Sequence, residues 1–310
     1  VPRIHLAITT HTTRHLRRTL LGVAHQGRRP DSVTISCDND LPEITELVKA
    51  CSGEFGAGLP EGIALVQRAS IGQCALAQVR NNAVRAILDA GAGPGDGIIF
   101  HDGDCCPASD CTAVHERLLA GAELVNAYRV DLTEAQTEAF DEDAVRRGLP
   151  PAAITDDQRA TLEARDRRYR RALLLKRLGL PGLVKAHKPK ILGANFSFRL
   201  SAYIEVNGFD EEYLGYGSED DDFSRRIYAA GFRPAVGVAS AVVYHQWHPT
   251  RKPADWHDSP GVRRFEMNLP TRAARGLTNP IPQDAPRVSV LRGGMLVSER
   301  VLEAAGRVTV

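Results

Sequence analysis

Residues 98–106 read IIFHDGDCC, an apolar run that ends on two aspartates, Asp102 and Asp104, with one glycine between them. Bounded on its amino-terminal side by the turn-rich GAGPGDG at 91–97, the run has the length and composition of a buried strand. Outward from it, IHLAITT (4–10), DSVTISCDND (31–40) and GIALVQRA (62–69) read as further strands. Between them, HLRRTLLGVAHQ (15–26), LPEITELVKAC (41–51) and ALAQVRNNAVRAILDAG (75–91) carry apolar residues at helical spacing. Strands that alternate with helices at such short intervals predict βαβ units and a mixed, mainly parallel sheet flanked by helices, an α/β fold. In open sheets of this kind ligands bind outside the carboxyl ends of the strands, where Asp38, Asp102 and Asp104 fall.

The 310 residues include 39 basic and 38 acidic side chains, a formal net charge of +1, so the overall balance predicts no nucleic-acid partner. A hydrophobic content of 43% allows a sizeable core. No stretch approaches the roughly eighteen uninterrupted apolar residues of a transmembrane segment. The start, VPRIHLAITTHTTR, lacks the unbroken apolar core of a signal peptide, and a cytoplasmic protein is expected. Six cysteines without framework spacing read as reduced thiols. Cys105, Cys106 and Cys111 with His101 and His115 can be drawn as a zinc site, but no paired CxxC is present and adjacent cysteines rarely share one ion.

Residues 131–190 change character, from acidic DLTEAQTEAFDEDAV to basic ARDRRYRRALLLKRLGLPGLVKAHKPK. Two helices and a loop inserted between the halves of the domain are expected there. Most of these charges read as a solvated helix surface; the basic part leaves room for peripheral contact with anionic lipid, a partner or an acceptor, and the paired helices for a homodimer. The last forty or so residues read as weakly strand-like and carry no assignable chemistry.

Asp102 and Asp104, two residues apart in an extended segment, point to one side, and hard divalent cations such as Mn2+ or Mg2+ take carboxylate oxygens together with substrate phosphates. An Asp-Gly-Asp turn alone is weak evidence. It has company in Glu219-Asp220-Asp221-Asp222, four acids after a glycine-rich turn and before a helical pattern. Ser218 reads as the N-cap with Asp221 as its reciprocal partner, yet capping needs fewer than four acids, and the surplus suits general-base work on a hydroxyl. In VVYHQWHPTR (242–251) a strand ends on His245 and His248, which can complete a coordination sphere begun by carboxylate oxygens. Trp247 and Trp256, the two tryptophans of the chain, offer surfaces on which a sugar could stack.

Taken in order, AITTHTTRHLRRTLLGVAHQ, ISCDND, VRNNAV, FHDGD, GANFSFRLSAYIEVNGFDEEYLGYGSEDDDFSRRI and YHQWH resemble the inverting GT-A nucleotide-sugar glycosyltransferases. The likeness is to family 2 and to the carboxyl-terminal region shared by β-1,4-galactosyltransferases and polypeptide N-acetylgalactosaminyltransferases. It covers about residues 3–130 and 190–250 and is most specific over 193–226. The resemblance implies the GT-A fold of nucleotide-diphospho-sugar transferases, which is Rossmann-like. It further implies a domain over 1–260, made of a nucleotide-binding half (1–130), a helical insert (131–190) and an acceptor and catalytic half (191–260), with 261–310 as a carboxyl-terminal extension.

The activity implied is that of a hexosyltransferase (EC class 2.4) moving a sugar from a UDP-sugar donor to a carbohydrate or other acceptor hydroxyl with Mn2+ or Mg2+. Residue by residue, Thr10 and Asp38 match positions that hold the nucleotide, Arg80 the arginine that reaches it, and Asp102 the first acid of the family's DxD motif, near the ribose. Asp104 matches the metal-ligating second acid and His248 the later histidine ligand, with His245 at the earlier ligand place. Asn195 falls in the sugar pocket, Tyr216 where relatives carry tryptophan, and Trp247 beside the metal ligands. Asp220 matches the catalytic base, with Glu219 beside it to grip hydroxyls. The rival readings are a nucleotidyltransferase of related fold and a non-catalytic sugar-binding protein; the first lacks support because no glycine-rich basic phosphate loop follows the first strand.

Overall fold

The computed structural model describes residues 2–59, 62–151, 153–179, 182–215, 217–249, 256–267 and 269–302. Its first part follows the predicted alternation: β1 (Ile4–Thr10), α1 (Leu16–Ala24), β2 (Ser32–Cys37), α2 (Pro42–Glu54), β3 (Ile63–Gln67), α3 (Leu76–Asp89) and β4 (Gly97–Asp102). These strands pair in parallel in the order β3-β2-β1-β4. All of β1 is buried, because a central parallel strand is covered on both faces. Leu6 and Ile8 face one core with Leu20, Ile44 and Val48, while Ala7 faces the other with Ala83, Val84 and Ile87 of α3.

Beyond β4 come β5 (Cys105–Pro107), α4 (Cys111–Leu119), β6 (Leu124–Asn126) and β7 (Tyr128–Asp131). Among its described residues the insert holds three helices rather than two: α5 (Glu134–Ala139), α6 (Glu142–Arg146) and the long α7 (Asp156–Arg177). Thr133 and Thr155 start α5 and α7 with reciprocal capping boxes to Gln136 and Gln158, a local signal that fixes both starts. Then follow β8 (Asn195–Arg199), α8 (Leu200–Glu205), α9 (Glu219–Ala229), β9 (Pro234–Val236), β10 (Val242–His245) and α10 (Pro260–Phe265). Strand β8 joins β4 antiparallel, and β6 and β9 complete that side of the sheet. A second, three-stranded sheet in the order β5-β10-β7 stands at the carboxyl end of β4.

The tail is part of the sheet. Strands β11 (Arg287–Arg292) and β12 (Met295–Val301) form a hairpin that pairs antiparallel with β3. Residues 273–281 reach it across α3, held by buried Arg85, which donates to Leu277 O (2.9 Å), Gly276 O (2.6 Å) and Glu211 Oε1 (2.6 Å). A paired, fully buried guanidinium with all three directions engaged is a stable arrangement only when the whole set assembles.

Candidate active site

The turn after β4 places the first acids. Gly103 lies where a Cβ would come within 2.8 Å of Thr10, so only glycine lets the turn close against the end of β1. Asp102 accepts a hydrogen bond from Thr9 Oγ1 (3.0 Å). Burial and the neighbouring Asp104 push the Asp102 carboxyl up, against Arg80, Arg129 and Thr9.

Asp104 meets both histidines. His248 Nε2 is 3.1 Å and His245 Nε2 3.7 Å from Asp104 Oδ2, and His245 Nδ1 is 3.0 Å from Asp131 Oδ1. The small sheet produces this convergence, since β10 pairs His245 with Cys105 of β5 on one side and Asp131 of β7 on the other. Burial opposes charge on Asp104, but the hydrogen bonds with His245 and His248 outweigh it and hold the carboxyl well below the usual range. Burial likewise lowers His245, yet its bonds to Asp104 and Asp131 push it up to about 9; His248 is raised mainly by Asp104.

One ligand atom from each of Asp104, His245 and His248 can be chosen so that all lie within 4.8 Å of one another. One carboxylate and two imidazoles suit Mn2+, which accepts nitrogen as well as oxygen, better than Mg2+, which favours an oxygen shell.

The acid run at the start of α9 divides into three. Arg80, buried on α3 with its guanidinium 4.9 Å from the Phe209 ring centroid, donates from Nη1 to Asp220 Oδ1 (2.8 Å) and Glu219 Oε1 (3.3 Å). Asp220 Oδ2 accepts from Gly193 N–H (2.8 Å), and a Cβ at Gly193 would lie 1.8 Å from Arg80 Nη2. Burial and Asp220 push Glu219 up to about 7, against the pull of Arg80. Asp221 pairs with Lys190 (3.0 Å) and Lys188 (3.5 Å), and Asp222 with Arg225 (2.6 Å) and Arg226 (2.7 Å). Only Glu219 and Asp220 thus share the arginine that also acts on Asp102, which links the two acidic groups electrostatically.

Several expectations change. Ser218 does not cap α9 through its side chain; it sits at φ 72° and makes no such bond. Arg80 turns to the acids and is buried, not open to a nucleotide. Asn195 does not line a sugar pocket: it is fully buried, donating to Tyr128 O (2.8 Å) and Ala241 O (2.7 Å) with Oδ1 2.9 Å from His115 Nε2. Thr10 Oγ1 is engaged by Thr12 O (2.8 Å). Asp38, half-buried at the end of β2, is bonded by Arg68 and accepts from Ala75 N–H (3.1 Å). Trp247 keeps an exposed ring while its backbone bonds Thr137 and His15. Tyr216 and the side chain of Trp256 lie outside the described residues.

The buried cluster His101, Cys111 and His115 is a polar core network. His115 already engages Ser197 and Asn195, and burial lowers His101 to about 3 and His115 to about 4. Cys111 Sγ lies 3.9 Å from His101 Nε2. A metal on that nitrogen would force a proton onto His101 Nδ1, which is buried without a partner among the described residues. Sequence reasoning missed Arg68, Arg129, Asp131, Lys188 and Lys190; no spacing announces them, since they reach the site from β7 and from loops distant in sequence from the acids and histidines they meet.

Residues 183–248 match the family described as the N-terminal domain of galactosyltransferase. No curated protein matches the chain. Among solved structures it is similar to GalNAc-T7, crystallised with UDP, GalNAc and Mn2+, at TM-score 0.54 and 14% identity over 86% of this chain and 47% of that one. It is also similar to residues 1–349 of S. aureus TarS, at TM-score 0.48 and 14% identity over 79% of this chain and 60% of that one. The chain therefore spans less than two thirds of either protein. Matched segment and fold agree on a glycosyltransferase architecture of the GT-A type with a galactosyltransferase-like carboxyl-terminal region.

Proposed function

We propose that the protein transfers a sugar from a UDP-sugar to an acceptor hydroxyl with inversion at the anomeric carbon, using a divalent ion held by Asp104, His245 and His248. The observation that carries this reading is the meeting of Asp104 with His245 and His248 beside Asp102, on which Arg80, the partner of Glu219 and Asp220, also acts. UDP and Mn2+ in the GalNAc-T7 structure support the donor and the ion. When bound, the ion supplies positive charge beside a departing diphosphate.

The chain's own groups do the rest. Asp38 and Asp102, at the carboxyl ends of the two strands that flank β1, hold the nucleoside, and Trp247 offers a ring to the sugar. Asp220, fixed by Arg80 and Gly193 N–H, takes the proton of the acceptor hydroxyl as its oxygen forms the bond to the anomeric carbon. The bond from that carbon to the diphosphate breaks in the same step, releasing UDP and inverting the configuration. Glu219, whose carboxyl titrates near 7, is the second reading for the base; otherwise it grips hydroxyls. The test is incubation with a panel of UDP-sugars and acceptors, following UDP release and the anomeric configuration by NMR. Pyrophosphate release from a nucleoside triphosphate instead would make the protein a nucleotidyltransferase, and no turnover with sugar binding retained would make it a binding protein.

A further inference from the structure

Residues 164–190 contain ten lysines and arginines and one acid, in a chain whose net charge is +1. Helix α7 buries Leu162, Asp166, Tyr169 and Leu173 against the domain. On its opposite side Arg167, Arg171, Leu174 and Leu178 follow one another at helical spacing and form a stripe. Leu174 is 56% exposed, Leu178 61% and, after the turn, Leu183 63%. Arg168, Arg171, Arg177 and Lys185 make no ion pair among the described residues. Arg167 pairs only loosely, with Glu163 at 3.7 Å, and three large leucines standing out of so cationic a surface are not the scattered apolar residues of an ordinary one.

We propose that the carboxyl-terminal half of α7 with the 183–185 loop docks on an anionic bilayer surface, leucines at the acyl boundary and arginines among the lipid phosphates. A bilayer uses both features, whereas a soluble polyanion uses only the charge. A second copy of the chain is disfavoured because the same cations would face one another. The strip runs on to Lys188 and Lys190, which hold Asp221 next to Asp220, so docking brings the candidate catalytic mouth to the lipid surface. That last consequence rests on the transfer reaction proposed above; the docking does not.

The experiment is co-sedimentation of the full chain with vesicles of phosphatidylcholine alone and of phosphatidylcholine mixed with phosphatidylglycerol. Binding is expected to the anionic vesicles only and to weaken with salt. Arg167→Gln with Arg171→Gln should weaken it about fivefold per arginine. Leu174→Ser with Leu178→Ser, both surface changes, should weaken it by at least about fivefold. Failure to bind anionic vesicles, equal binding to neutral ones, or full binding by the leucine variant would each overturn the proposal. None of these outcomes bears on sugar transfer, which is assayed without lipid.

Discussion

Replacing Arg80 by methionine removes the cation that Glu219 and Asp220 share. Its Nη1 lies 2.8 Å from Asp220 and 3.3 Å from Glu219. A charge pair at about 4 Å is worth about 4 kcal/mol at an effective dielectric of about 20. That is roughly three pKa units, and solvent screening of the partly exposed acids reduces the expectation to about two. Glu219 must be anionic to grip a hydroxyl or to act as the base, so its carboxyl, lifted above its present value of about 7, loses its active form at neutral pH and regains it in alkali. The variant should transfer sugar about 100-fold more slowly near neutral pH and recover much of the loss about two units higher. Initial rates of UDP release against pH read this directly, with far-UV circular dichroism to show that the variant is folded, because breaking a buried pair costs about 3–5 kcal/mol. An unchanged pH profile with weaker UDP binding would refute the reasoning and return Arg80 to a nucleotide contact.

Further outcomes are expected. Asp220→Asn should lower transfer by about a thousandfold or more while leaving UDP affinity unchanged, and Glu219→Gln should remove the acid limb near 7 from the pH profile; transfer at full rate by Asp220→Asn would move the base to Glu219. Mn2+ affinity should fall as pH falls below about 9, because His245 must shed its proton to ligate, and His248→Ala should weaken it at least tenfold by equilibrium dialysis. Glu211→Ala, which strips the partner from buried Arg85, should cost about 3–5 kcal/mol in urea unfolding and leave the UDP affinity of the folded protein unaltered.

The alternation of the first hundred residues was legible because buried parallel strands are written as apolar runs and their helices as apolar stripes. The meeting of Asp104 with the two histidines was legible for a related reason: they lie at or just beyond the ends of recognisable strands, and strand ends gather on one edge of a sheet. The partner of Arg80 was not, since α3 and α9 meet across about 140 residues of chain and only packing around Phe209 aims the guanidinium at the acids. The role of Asn195 was misjudged because polarity near a site motif suggests a ligand contact, whereas this amide bridges β8 to Tyr128 and Ala241 inside the core. The tail's place at the edge of β3 depends on a buried network at Arg85 and Glu211 that no local pattern announces.

The account stands most directly on one titration, UDP into the purified protein by calorimetry, with Mn2+ and again with chelator, and with GDP as control. It predicts binding of UDP that requires Mn2+, exceeds that of GDP and disappears in Asp104→Asn. UDP binding of equal strength with chelator, or in Asp104→Asn, would contradict the assignment of Asp104, His245 and His248 as the metal and diphosphate site.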